Sequence, residues 1–159
     1  MNKQSNPLES CPFCSTDNQR IAFASSASFL ALYNIAPILP GHSLIISKMH
    51  IKSLRSLSDD HIGELFLFAR QVTDVLLDYY QADAFDWSLQ DNEAAGQTVP
   101  HLHLHIIIRH SSDLPEPGDW YQLLDNQKNI DSAGRSKLDI TEYSRLVEQL
   151  RTAFLKSKE

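Results

Sequence analysis

The chain has 159 residues, of which 42% are hydrophobic and 21% charged, and its formal net charge is -6. This length and composition predict one globular domain, residues 1–159, around a single core. The sequence lacks both the roughly 18 consecutive apolar residues of a membrane helix and the pattern of a signal peptide, so we expect a cytoplasmic protein without a membrane partner. The acidic balance argues against nucleic acid as a partner, because sequence-independent binding to phosphate backbones depends on clustered Lys and Arg.

The first half of the chain predicts two strands and one long helix. Strand-like apolar patterns occupy residues 21–33 and residues 43–46, and the second follows the turn signal Pro40-Gly41. Ser58 is a candidate N-cap, and apolar residues recur after it at helical spacing to about Tyr80. This segment is therefore predicted to be an amphipathic helix.

The second half predicts two further strands and a terminal helix. Residues 85–89 alternate between apolar and polar side chains, and another strand is predicted over residues 101–109. Residues 111–135 have no regular pattern and are assigned to an irregular surface. Asp139, with Glu142 three residues later, is a capping-box signature before an apolar helical face. Together the elements predict an α+β fold, an antiparallel sheet with helices on one side.

Three histidines occupy alternate positions of the last predicted strand. Since residues two apart in a strand share a face, His101, His103 and His105 point the same way. The residues between them are apolar, so the opposite face can lie on the core. Core packing gives no reason to repeat imidazole three times, and the pattern therefore indicates a functional site rather than ordinary surface histidines.

Either one metal ion or a row of catalytic groups could use such a face. Same-face neighbours lie ~6.6 Å apart and the outer two histidines ~13 Å apart, too far for one tetrahedral ion with bonds of ~2.1 Å. The spacing suits an extended phosphate chain, along which a neutral imidazole attacks phosphorus while nearby donors stabilise the oxygens. An imidazole with the ordinary pKa of about 6.5 is mostly neutral at pH 7, and a carbonyl can fix its second nitrogen.

The loop before this strand supplies neutral hydrogen-bond donors. Residues 91–99 carry the turn signals Asn92 and Gly96, and the glycine allows close backbone approach. Gln97 and Thr98 follow directly and offer donors to phosphate oxygens. The adjacency of loop and histidines predicts that both belong to one site.

The two cysteines of the chain, Cys11 and Cys14, form a C-x-x-C pair. In a reducing compartment such a pair indicates metal or redox chemistry rather than a structural disulfide. A closed zinc site needs four ligands, so two histidines would have to join the pair. The redox alternative lacks the βαβ context of a thioredoxin-like motif, and a pair of unliganded surface thiols is the third alternative.

The histidine strand resembles the signature of the histidine-triad (HIT) superfamily, since residues 101–107 alternate histidine with apolar residues and end on two apolar ones. The similarity extends to the turn Pro40-Gly41-His42, to the loop of residues 94–100 and to Asn34. The pair Gln90-Asp91 and the Gly-Gln-Thr-Val loop are most similar to the fragile-histidine-triad branch, whose members cleave diadenosine polyphosphates, and to small bacterial relatives.

This resemblance implies roles for individual residues. His103 would attack the α-phosphorus and become nucleotidylated, and His105 would contact the scissile phosphate and assist the leaving group. His42 would orient the triad, Asn34 would bind the ribose, and Gln90 and Gln97 would hold phosphate oxygens. The implied catalytic residues are His103, His105, His101 and His42, and the implied substrate contacts are Asn34, Gln90, Gln97 and Thr98.

The resemblance also implies a metal and a partner. In zinc-bearing members the matching positions complete a structural site formed by Cys11, Cys14, His50 and His101. No organic cofactor is expected. The family architecture is a homodimer whose sheet continues across the two-fold axis, in which Trp120 and Tyr121 either reach the partner or are ordinary surface aromatics.

Two positions depart from the family pattern. Ile108 stands where many relatives have proline, and Asn92 stands where the fragile-histidine-triad branch has glycine. His105 occupies the position at which the uridylyltransferase branch has glutamine, which favours hydrolysis over transfer to a sugar phosphate.

Three functions stay open: hydrolysis of a dinucleoside polyphosphate or nucleoside phosphoramidate, nucleotide sensing with slow turnover, and metal-dependent hydrolysis through a His-x-His pair.

Overall fold

A computed structural model describes residues 11–111, 113 and 135–158, which form a five-stranded antiparallel sheet and three α-helices. The strands are β1 (Ala24–Ser25), β2 (Phe29–Tyr33), β3 (Ser43–Ser47), β4 (Ala84–Ser88) and β5 (His103–Arg109). The α-helices are α1 (Asp17–Ile21), α2 (Asp59–Tyr80) and α3 (Ile140–Lys156). Most of the predicted irregular segment 111–135, including Trp120 and Tyr121, lies outside the described residues.

The sheet order is β1-β2-β3-β5-β4, and every neighbouring pair is antiparallel. The register pairs Leu44 with His105 and Ile46 with His103, so these residues share one face of the sheet. Strand β4 forms one edge, next to β5. The predicted α+β architecture is confirmed.

The main core lies between the other face of the sheet and the two long helices. Helix α2 begins after Ser58, whose side chain accepts from the His61 N–H, and helix α3 begins after Asp139, whose side chain accepts from the Thr141 and Glu142 N–H groups. The apolar faces of both helices form one buried cluster with Leu102, Leu104, Ile106 and Ile108; α2 contacts β5, and α3 contacts α2 and β2. Within the described ranges, no helix has the length and apolarity needed to cross a membrane.

The structure corrects two predicted boundaries. Residues 21–33 are not one strand, because Ile21 ends helix α1 and a tight turn separates β1 from β2, closed by the Ser26 N–H and the Phe29 carbonyl. A five-residue helix is too short to show helical periodicity in the sequence. Strand β5 begins at His103 rather than His101, because the His101 N–H bonds the Val99 carbonyl two residues back.

Candidate active site and metal centre

The predicted alternation along β5 is present in the structure. His101, His103 and His105 are all buried, and the residues between them contribute to the main core. The rings of His103 and His105 lie 5.0 Å apart between centroids. Burial removes these imidazoles from bulk water, so their hydrogen bonds to the protein determine which nitrogen carries the proton.

A backbone carbonyl fixes the tautomer of His103. Its Nδ1 lies 2.7 Å from the carbonyl oxygen of His101. Because a carbonyl only accepts, Nδ1 carries the proton and the lone pair of the neutral ring is on Nε2. The middle histidine therefore has the form that a nitrogen nucleophile requires.

His105 is fixed in the opposite sense through His42. The Ile38 N–H donates to His42 Nδ1 at 3.1 Å, which leaves the His42 proton on Nε2. This Nε2–H donates to His105 Nδ1 at 2.9 Å. His105 therefore carries its own proton on Nε2 and can donate to an oxygen. The two neighbouring histidines present complementary groups, a lone pair on His103 and an N–H on His105.

The turn that contains His42 is held on several sides. Gly41 has a φ of +90°, and a Cβ there would lie 2.5 Å from Ile108 Cγ1. The backbone N–H of Asn34 donates to the His42 carbonyl at 2.9 Å, and its side-chain oxygen accepts from the Ala36 N–H at 2.9 Å. The Asn34 amide nitrogen lies 3.4 Å from His42 Nε2, a contact between two donors rather than a hydrogen bond in this tautomer.

The loop before β5 is tied together by Gln97. Its amide nitrogen donates to the carbonyls of Lys52 at 3.0 Å and His101 at 3.3 Å, and its oxygen accepts from the Asn92 N–H at 3.1 Å. Both amide hydrogens are thus bonded to the protein. Gln90 differs, since its nitrogen donates to the Ser88 hydroxyl at 2.8 Å while its buried oxygen has no partner among the described residues.

A cavity of about 370 Å³ lies beside β2, lined by Leu32 on the histidine face and by Tyr33 on the core face. Two of the predicted substrate contacts, Asn34 and Thr98, line this cavity. Its apolar walls include Phe13, Ile21, Leu32, Leu44 and Val99. Such a pocket fits a flat, weakly polar ring system with a polar rim. The sequence did not predict these apolar residues as part of the site, although Leu32 and Leu44 lie on the same face of the sheet as the histidines.

Phe13 joins the cavity to the histidines. Its ring lies 5.3 Å from that of His103 and 5.7 Å from that of His101, in edge contacts. Phe13 stands between Cys11 and Cys14 in a short 3-10 turn, Pro12–Cys14, so the cysteine pair directly positions a wall of the site.

The four predicted metal ligands come together. The ligand atoms of Cys11, Cys14, His50 and His101 all lie within 4.8 Å of one another. Cys14 Sγ lies 3.2 Å from His50 Nδ1, and both sulfurs lie 3.5 Å from His101 Nδ1. Tetrahedral zinc with ordinary bond lengths separates sulfur and nitrogen ligands by about 3.6 Å. The donor set and its dimensions therefore fit zinc.

The surroundings of His101 and Cys14 favour a cation in this cluster. His101 Nε2 donates to the Ser47 carbonyl at 2.7 Å, so its Nδ1 lone pair faces the thiols. Burial lowers the pKa of His101 and keeps it neutral, with the nearby His50 and His103 acting in the same direction. Burial, with the neighbouring Cys11, raises the pKa of Cys14 to about 11. The neutral His101 is ready to bind a cation, and a bound cation would offset the raised pKa of Cys14 by stabilising the thiolate.

Comparison with known proteins agrees with this arrangement. A family model described as the HIT domain matches residues 15–112. The chain is 30% identical over 129 residues to a bis(5'-adenosyl)-triphosphatase of Dictyostelium discoideum, covering 81% of this chain and 86% of that protein. It is 39% identical over 103 residues to an asymmetrical bis(5'-nucleosyl)-tetraphosphatase of Schizosaccharomyces pombe, covering 64% of this chain and 57% of that one.

Solved structures show the same fold. A hypothetical histidine triad nucleotide-binding protein from Sulfolobus tokodaii matches with a TM-score of 0.71 at 26% identity, covering 93% of this chain and 94% of that one. A Zn-bound histidine triad family protein from Mycobacterium smegmatis matches with a TM-score of 0.68 at 24% identity, covering 96% and 99%. With the alternating histidines of β5 and a family match over most of its length, this chain belongs to the HIT domain family.

Proposed function

We propose that this protein hydrolyses dinucleoside polyphosphates through a nucleotidyl intermediate on His103. The observation that carries the proposal is the pair of fixed tautomers, which gives His103 a lone pair and His105 an N–H at the same ring position. The similarity to a triphosphatase and a tetraphosphatase that act on dinucleoside compounds supports the substrate class.

The reaction has two displacements. His103 Nε2 attacks the α-phosphorus, a P–N bond forms, and the bond to the bridging oxygen of the polyphosphate breaks. The His105 N–H donates to that oxygen as negative charge develops on it. Water then attacks the same phosphorus and releases a proton to solvent, the P–N bond breaks, and the nucleoside monophosphate leaves with His103 restored.

The cavity gives the substrate its orientation. The nucleobase enters the apolar pocket beside Phe13, and the ribose lies against Asn34 and Thr98. The Gln90 amide nitrogen donates to a phosphate oxygen when substrate binds. To do so it gives up its hydrogen bond to the Ser88 hydroxyl. Gln97 acts by shaping the loop, because both of its amide hydrogens are bonded to carbonyls.

The test replaces His103 with alanine. We expect kcat to fall by about 10⁴ or more while nucleotide affinity is retained, because the change removes the attacking nitrogen. His61→Ala is the matched control, since His61 lies exposed on α2. Rapid quenching of the wild-type reaction should trap a nucleotide bonded through nitrogen to His103. Activity of His103→Ala within tenfold of wild type would exclude this nucleophile.

A substrate panel separates the alternatives. Diadenosine triphosphate should yield AMP and ADP, because attack is at the phosphorus next to the bound ribose. Turnover of nucleoside phosphoramidates alone would replace the proposed substrate and keep the nucleophile. Tight binding with negligible turnover at physiological nucleotide concentrations would instead indicate a sensor.

We also propose that Cys11, Cys14, His50 and His101 bind a structural zinc ion. A zinc ion held by these four residues would link the turn at residues 11–14 to the start of β5. Protein purified without added metal should contain about one equivalent of zinc. Cys11→Ser should lose zinc and thermal stability, whereas the neighbouring Ser15→Ala should keep both. Less than a tenth of an equivalent, with freely reactive thiols, would refute the site.

Finally, we propose a homodimer that uses the β4 edge. Phe85 is 44% exposed, and its ring lies 5.3 Å from that of Trp87. Phe66 on α2 is 38% exposed and lies 5.9 Å from the same Trp87 ring. An exposed aromatic cluster beside a strand edge that has no partner among the described residues favours association. Sedimentation should show a dimer that Phe85→Asp dissociates and that Leu155→Asp, on an exposed site of α3, leaves intact.

A further inference from the structure

Tyr33, the last residue of β2, contacts the turn of the candidate active site from the core side of the sheet. Its ring belongs to the main core, and its side chain is buried. The Tyr33 hydroxyl accepts a hydrogen bond from the Gly41 N–H at 2.9 Å, and the Tyr80 hydroxyl donates to it at 3.4 Å. The hydroxyl thus satisfies a backbone donor that water does not reach.

Other contacts also restrain the backbone of Gly41. The Gly41 carbonyl accepts from the Ser43 hydroxyl at 3.0 Å, so both polar groups of this residue are bonded to side chains. Its positive φ and its approach to Ile108 restrict the backbone further. Removing the Tyr33 hydroxyl would leave the Gly41 N–H buried without its partner, and the turn would have to move to satisfy it.

A shift of Gly41 passes directly to His42, the next residue. His42 holds the tautomer of His105 through a bond of 2.9 Å between Nε2 and Nδ1. A hydrogen bond of this kind weakens steeply when its angle or length changes. His103 Nδ1 is held by the His101 carbonyl, which lies outside this turn.

We propose that Tyr33 is a positioning residue: its hydroxyl fixes the Gly41–His42 turn and thereby holds His105 as the donor to the leaving oxygen. This inference rests on the proposed function. It predicts a selective defect in leaving-group departure, with nucleophilic attack by His103 and nucleotide affinity retained.

The same tyrosine cluster provides a matched control. Tyr143 is also buried, and its hydroxyl donates to the backbone carbonyl of Tyr33 at 3.1 Å. The rings of Tyr33 and Tyr143 lie 6.4 Å apart. Tyr143→Phe therefore removes one buried hydrogen bond at the same place, but it leaves the partner of Gly41 unchanged. A purely structural role would make the two variants equivalent.

The experiment compares Tyr33→Phe with Tyr143→Phe on the phenyl and p-nitrophenyl esters of AMP. Phenol has a pKa of about 10, like tyrosine, and departs slowly without a proton donor. The p-nitrophenolate ion departs with little help. We expect Tyr33→Phe to lower kcat on the phenyl ester by about tenfold, with less than a twofold change on the p-nitrophenyl ester. Both tyrosines line the cavity, so KM should change no more than it does in Tyr143→Phe. Tyr143→Phe should affect both esters equally.

Two further measurements keep the test decisive. Ser43→Ala removes the second side-chain hydrogen bond to Gly41 and should show the same selective loss of kcat on the phenyl ester. It tests the inference independently if Tyr33→Phe folds poorly. Histidine ¹⁵N spectra should show altered His42 and His105 signals in Tyr33→Phe and unaltered ones in Tyr143→Phe. Equal losses on both esters, or unchanged spectra, would overturn the inference. Absence of any turnover by the wild-type protein would instead overturn the proposed function, and the spectra would still test the positioning.

Discussion

Replacing Gly41 with alanine tests the geometry of the turn that carries His42. A Cβ at this position would lie 2.5 Å from Ile108 Cγ1 and 3.2 Å from Tyr80 Cδ2, on a backbone with φ +90°. Alanine in the left-handed region costs ~1 kcal/mol, and overpacking of a filled core typically costs 1–3 kcal/mol more. We therefore expect the free energy of unfolding to fall by about 2–4 kcal/mol, which corresponds to a decrease in Tm of about 4–16 °C for a chain of this size.

Activity should fall beyond what the loss of folded protein explains. Since Gly41 immediately precedes His42, a turn displaced by the new methyl group misaligns the bond to His105. At a temperature where both proteins are fully folded, kcat should decrease by about tenfold or more. Urea denaturation gives the stability change, and initial rates on diadenosine triphosphate give kcat.

A double-mutant cycle with Ile108→Ala isolates the steric part of the cost. Ile108→Ala alone should destabilise by about 2–5 kcal/mol, because it leaves a cavity in the core. It also removes the atoms that the Gly41→Ala methyl group would meet. In this background the cost of Gly41→Ala should shrink to the backbone contribution of ~1 kcal/mol. An equal cost in both backgrounds would refute the proposed overlap.

Three other changes test individual contacts. Hydrogen bonds from Ser26 and Ser28 lower the pKa of Glu64, although burial alone would raise it. Glu64 therefore stabilises the fold above the ordinary glutamate pKa of 4.5, and this contribution is lost as the pH falls through its lower folded-state pKa. Glu64→Gln should lower the free energy of unfolding at pH 7. The difference in unfolding free energy between wild type and variant should become smaller in acid. Asp139→Ala removes the N-cap of α3 and should cost about 1 kcal/mol in urea denaturation, whereas Asp139→Asn should retain most of the stability. Asn92 has φ 78° and ψ 163°, a region that suits glycine, so Asn92→Gly should raise stability by about 1 kcal/mol.

Each of these outcomes has a clear opposite. A Glu64→Gln difference that stays constant from pH 7 into acid would show that the carboxylate charge does not act through these bonds. Equal losses for the alanine and asparagine variants of Asp139 would assign the effect to something other than the cap. A fall in stability for Asn92→Gly would mean that the hydrogen bond from the Asn92 side-chain amide to the Asp91 carboxylate, at 2.9 Å, outweighs the backbone strain.

Local pattern was sufficient for the elements whose interactions are local. The alternation along β5 placed the histidines on one face because successive side chains of any strand point to opposite sides. Ser58 and Asp139 marked the starts of α2 and α3 because a cap bonds to backbone groups two or three residues away. Helix α1 was not predicted, because its five residues do not complete two helical turns and so show no helical periodicity.

The candidate metal centre was reached only through a family resemblance. The sequence identified Cys11 and Cys14 as a pair, but nothing local to them points to His101, which is 90 residues from Cys11. The fold brings these groups together by placing the start of β5 beside the N-terminal turn. The contact between Phe13 and His103 has the same origin and was not predicted at all.

The sequence by itself determined which residue types share a face and where the long helices begin, because strand alternation and helix capping act over a few residues. Tertiary structure alone decided which nitrogen of His105 carries the proton. The groups that fix His103 and His42 lie two and four residues away along the chain, but the bond from His42 to His105 joins residues 63 apart. The link from Tyr33 to Gly41 likewise crosses from the core to the turn. Hydrogen bonds between such distant segments depend on three-dimensional placement, which the local order of residues does not encode.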